Sequence, residues 1–93
     1  MTHVRRKIVS LVVDSPIEIE PGVFMPPGSY DAECKELGVS MMGGQIKWTP
    51  PEYMVEITAD QFRAMGAKNV GASLISIETP LTQFVRSGQI KVR

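Results

Sequence analysis

The sequence predicts a mainly β fold, bordering on α+β: a small antiparallel barrel or strongly twisted sheet of five to seven short strands with two short helices. Three observations carry that prediction. Apolar and polar residues alternate with period two in several short runs, the pattern of strands with one wet face. Proline and glycine breakers separate those runs. Most connections are too short for parallel crossovers, so sequential strands pair antiparallel.

The first run, Ile8–Val13, is apolar on both faces and reads as a central strand covered on both sides. Ile17-Glu18-Ile19-Glu20 alternates cleanly and Pro21-Gly22 turns the chain. Val23-Phe24-Met25 leads to Pro26-Pro27-Gly28, and Ser29–Leu37 follows with Tyr30, Ala32 and Cys34 on one face. Gly38 to Gly44 reads as a flexible link or bulged strand. Ile46 and Trp48 share a face, Thr49-Pro50-Pro51 turns, and Tyr53, Val55 and Ile57 share a face again. Thr58-Ala59-Asp60-Gln61 is a capping box, with Ile57 and Phe62 as its hydrophobic staple and Gly66 as the helix stop. Thr79 caps a second helix with Pro80 in its first position; Leu81, Phe84 and Val85 hold helical spacing up to Gly88. Ala72–Ile77 and Gln89–Arg93 complete the strands. The expected core closes around Trp48 and Phe24.

Composition fixes the class. At 93 residues, with 43% hydrophobic and 22% charged, the chain has the balance of one globular domain spanning residues 1–93. Cys34 is the only cysteine, so no intramolecular disulfide forms, and that cysteine usage fits a reducing compartment. Cys34 with the single histidine, His3, does not make a tetrahedral metal site; neither metal nor cofactor is expected. The basic segment Met1–Lys7 and apolar Ile8–Val13 form no signal peptide, because the apolar run is short and no small-residue cleavage site follows. No run approaches the ~20 apolar residues of a spanning helix. A cytoplasmic protein with no membrane partner is the expectation. A chain opening on Met1 without a tag reads as a complete small open reading frame of the bacterial or phage accessory kind.

No constellation for catalysis emerges, and the chain is read as not an enzyme. His3 lies in a terminal segment, and Cys34 falls on an apolar face with no base to activate it. Glu18 with Glu20, and Asp31 with Glu33, have the spacing of carboxylate pairs for acid–base work or a hard cation, but are read as the solvated face of a strand opposite basic residues such as Lys91 and Arg93. Gly43-Gly44 and Gly66…Gly71 lack the spacing of phosphate-binding loops.

Two binding surfaces remain. The first reading is a protein-interaction or assembly module, engaging another protein or a second copy of itself, through Met41, Met42, Trp48, Tyr53 and Met54. Adaptable methionines and rigid aromatics are enriched at interfaces. Met54 is out of phase with the buried set Tyr53, Val55 and Ile57, so it points the other way. The alternative is a nucleic-acid-binding small barrel. Residues 1–15 carry a net charge of +2, 16–40 of −4, 41–65 of −1 and 66–93 of +3. Arg5, Arg6 and Lys7, with Lys91 and Arg93, therefore form one basic surface if the first and last strands lie side by side. The aromatics that would stack on bases lie in the acidic half instead.

Overall fold

The computed structural model describes residues 2–93, and its frame is one long antiparallel pair, β1 (Thr2–Val13) against β4 (Gly28–Ser40). Their register runs from Thr2 opposite Val39 to Val13 opposite Gly28 without a slip. Between them, β2 (Ile17–Glu20) and β3 (Val23–Met25) form a separate hairpin. After β4 come β5 (Ile46–Trp48), β6 (Glu52–Thr58), α1 (Ala59–Ala64), β7 (Leu74–Ile77), α2 (Thr79–Arg86) and β8 (Ile90–Val92). The main sheet runs β7-β6-β4-β1-β8, with β5 also on β4, and every pairing is antiparallel.

The sheet is mainly β and twisted, as expected, but it does not close into a barrel: β7 and β8 are opposite edges with no pairing between them. Helix α2 lies against β6 and β8, burying Leu81 completely. Leu11 and Val13 of β1, Met25 of β3 and Ile90 of β8 meet it in one apolar cluster. The hairpin β2–β3 adds Ile17, Ile19 and Val23.

Local signals explain most boundaries. The capping box forms in full: the Gln61 N–H donates to Thr58 Oγ1 at 3.2 Å, and the Thr58 N–H donates to Gln61 Oε1 at 2.8 Å. In α2 the cap shifts by one residue, since Glu78 is the N-cap and Thr79 and Pro80 are already helical. Thr82 of α2 is buried, and its hydroxyl accepts the Tyr53 N–H at 2.9 Å while donating to the Tyr53 carbonyl at 3.4 Å. Thr82→Val keeps the shape but leaves that N–H unpaired, so urea denaturation is expected to show a loss of about 1–2 kcal/mol.

Other expectations need correction. Phe24 is not core: it is 47% exposed, while Val23 and Met25 on either side point inward and are buried. Trp48 is half-buried and stands away from the core cluster. The strand read as Ile8–Val13 begins at Thr2, and Ile8 is 70% exposed rather than covered. Gly38 to Ser40 continue β4 instead of forming a link. Thr49-Pro50-Pro51 does not reverse the chain, because β5 and β6 run the same way along one edge of β4. Prolines donate no ladder hydrogen bond; instead the Thr49 N–H donates to the Leu37 carbonyl and its Oγ1 accepts the Leu37 N–H.

Candidate functional site: the projecting arm

Burial along β1 changes abruptly. Leu11 and Val13 are buried, whereas from Thr2 to Ile8 only His3 is even partly covered. The Thr2–Ile8 half of β1, the Cys34–Ser40 half of β4 and β5 thus form a three-stranded arm that leaves the core behind, in a molecule 50 × 28 × 21 Å across.

Strand pairing assigns the two faces, because directly opposed residues share one. On the core side stand His3, Arg5 and Lys7, facing Gly38, Glu36 and Cys34, with Trp48 beyond Gly38. Arg5 organises this face. Its guanidinium donates two hydrogen bonds to the Glu36 carboxylate, at 3.1 and 3.0 Å, and lies 3.8 Å from the centroid of the Trp48 ring. The fork geometry and the cation–π contact both favour arginine over lysine. Trp48 lies across Gly38: a Cβ there would come 2.9 Å from the indole and 2.7 Å from Ile46 Cγ2.

The hydrogen bond and charge of Arg5 hold the Glu36 carboxyl below the usual carboxylate range; partial burial opposes the shift and Lys7 adds to it. A depressed folded pKa means that the stabilisation is complete above the ordinary carboxylate range and lost as pH falls through the lowered value. Trp48 emission is therefore expected to change in acid below the usual glutamate range, with the step absent in Glu36→Gln. Nearer the core, Cys34 is buried and faces Tyr53. Burial, then Cys34 and Glu36, push the Tyr53 hydroxyl up. Arg5, Arg6, Lys7, Cys34 and Glu36 line a recess of about 310 Å³ on the arm.

The opposite face carries three exposed apolar side chains. Val4 is 51% exposed, Ile8 70% and Val39 52%. Arg6 lies between Val4 and Ile8 and reaches Glu33 at 3.5 Å. At the tip, Met42 is 98% exposed and Met41 51%.

The arm also has an open edge. β8 pairs with β1 only over Leu11–Val13, and the Arg93 N–H donates to the Ser10 carbonyl at 2.8 Å. Alternate residues of a strand turn their backbone groups to the same edge, so those of Thr2, Val4, Arg6 and Ile8 face the side that Ser10 faces. Among the described residues no strand pairs with them there.

The five methionine and aromatic candidates do not form one surface. Met41 and Met42 are at the tip, Trp48 and Tyr53 are half-buried on the core side, and Met54 lies opposite Glu33 on the other face, turned away from Tyr53 as its phase predicts. The basic candidates are brought closer, since the first and last strands do pair. Lys91 stands opposite Val12 and shares a face with Arg6, whereas Arg5 and Lys7 are on the other face. Arg5 and Arg6 each hold a carboxylate. Val4, Ile8, Val39 and Glu36 were missed by sequence reasoning. The one available signal was Val4 and Ile8, even-numbered apolar residues bracketing a basic run.

Among the described residues, no group of three His, Cys, Asp or Glu side chains is placed to hold a metal ion, and no helix is long and apolar enough to cross a membrane. Compared with protein-family models, curated proteins and solved structures, the chain finds no match in any of the three.

Proposed function

We propose that the chain is a non-enzymatic protein-interaction module that engages its partner through the projecting arm. One observation carries the reading: Val4, Ile8 and Val39 are exposed on one face of a ribbon that the core does not cover. Exposed apolar residues on a sheet face beside an unpaired strand edge mark an interaction surface or an aggregation hazard. Met41 and Met42 at the tip add side chains that adapt to a partner's shape. Nucleic-acid binding is the second reading, favoured by the pairing of β1 with β8. It weighs less because Arg5 and Lys7 stand on one face of the sheet and Arg6 and Lys91 on the other, so no single basic face follows a phosphate backbone.

Selection of a random peptide library against the immobilised chain tests the proposal. Peptides are expected that bind the wild type and are lost by Val4→Ser with Ile8→Ser, and weakened by Met42→Ser. Light scattering on a sizing column, at low and physiological salt and with a mixed-sequence oligonucleotide, runs beside it. If no peptide depends on the arm and the oligonucleotide co-elutes only at low salt, the nucleic-acid reading replaces this one.

A further inference from the structure

Resting on the interaction-module reading, we infer that the open edge of β1 takes an extended acidic segment by strand addition, with the pattern apolar–acidic–acidic–acidic–apolar opposite Ile8, Lys7, Arg6, Arg5 and Val4. An extended peptide is the ligand whose donors and acceptors match a strand edge. The backbone groups of Val4, Arg6 and Ile8 face that edge beyond the point where β8 stops.

The side chains set the partner's chemistry. Arg5, Arg6 and Lys7 are consecutive, so an incoming strand meets cationic residues on both faces of the sheet at once. The other edge of β1 already shows the mode of recognition. There, β4 places Glu36 directly opposite Arg5 at 3.0 Å and Glu33 within 3.5 Å of Arg6. Lys7 faces Cys34, makes no ion pair among the described residues, and lines the recess on the arm. It is the cation left for a carboxylate from outside. Val4 and Ile8, on one face and exposed, receive the flanking apolar residues. Because the pattern reads the same in both directions, it does not depend on strand orientation.

A second copy of the chain is a poor occupant. Two-fold pairing of β1 with itself over Val4–Ile8 sets Arg6 opposite Arg6 and Arg5 opposite Lys7, placing the whole basic run against its copy. Like charges directly opposed destabilise a sheet, and charge on an edge strand is a common guard against self-pairing.

The test uses a labelled synthetic peptide centred on valine, three glutamates and valine, titrated against the whole chain by fluorescence anisotropy. Binding is expected to weaken about tenfold for Lys7→Glu, and again for Arg6→Glu, at low salt. The melting curve of Lys7→Glu is expected to match the wild type, since Lys7 is exposed and makes no ion pair among the described residues, and that of Arg6→Glu, which loses the Glu33 contact, to fall slightly below it. A peptide with lysines in place of the glutamates is expected to bind the double variant better than the wild type. Methylating alternate peptide amides separates strand addition from simple charge attraction: one alternate set abolishes binding and the other leaves it. Equal loss from both sets, or none from either, overturns strand addition. If the selected library peptides depend on Val4 and Ile8 but carry no acidic residues, this inference fails while the interaction-module reading stands. If no peptide depends on the arm, both fall.

Discussion

Gly66→Ala is expected to lower the thermal midpoint by about 10–20 °C, the largest effect of any single methyl added to a glycine of this chain. Two independent penalties meet at that position. Gly66 has φ +113, outside the region that residues with a Cβ adopt readily, and such strain costs about 1–3 kcal/mol. A Cβ would also overlap the carbonyl oxygen of Gly22, which is backbone and cannot swing aside. The approach is close because the chain after α1 is tied to the β2–β3 hairpin, where the Phe24 N–H donates to the Met65 carbonyl at 2.9 Å. Two controls separate the penalties. Gly88 has φ +85 with open space around it, so Gly88→Ala suffers the strain alone; Gly71 has neither problem, and Gly71→Ala is neutral or slightly stabilising. A Gly66→Ala midpoint no lower than that of Gly88→Ala would show that the Gly22 contact contributes nothing.

That contact also shows where sequence reasoning stopped. A glycine after a capped helix is legible as a stop, and the Thr58–Gln61 box placed α1 within a residue of its observed start. Nothing local shows that the same glycine meets a turn more than forty positions earlier. The strands divide in the same way. Ile17–Glu20 and Tyr53–Ile57 alternate because one face of each meets the core, and burial follows the alternation. Thr2–Lys7 forms strand without that pattern, because the arm has no core beneath it to demand one. Phe24 and Trp48 looked like core from their size alone. Neighbours decided otherwise: Val23 and Met25 take the inward phase, and Trp48 has Arg5 over its ring and Gly38 beside it. The open edge of β1 was not legible at all, since an edge is a property of pairing. The meeting of the first and last strands enters the sequence reading only as a condition, which the β1–β8 pairing meets. Its consequence for charge was not legible, because Glu33 and Glu36 reach Arg6 and Arg5 only through the β1–β4 register.

The arm and the core are expected to come apart separately, and Gly38→Val is the substitution that shows it. Valine at this position drives its side chain into the Trp48 indole and Ile46, both of which already fall within 3 Å of a simple Cβ. Overpacking of this kind costs about 1–3 kcal/mol. In the core that would be a fraction of the total stability. In the arm it acts on a ribbon with few buried contacts, where local opening needs little free energy. Trp48 is displaced from Gly38, Arg5 loses its aromatic surface, and β5 detaches from β4. The β1–β4 pair left behind is two-stranded at that end, which is marginal in water. Trp48 is the only tryptophan, so its emission reports the arm alone. The expected result is red-shifted emission and lost amide protection at His3, Arg5 and Lys7, with protection retained at Leu11, Ile57 and Thr82. Binding at the β1 edge falls with the arm, while the melting of the core stays near that of the wild type. If core melting and Trp48 emission instead shift together, arm and core form one cooperative unit, and the edge of β1 is as rigid as the sheet it extends.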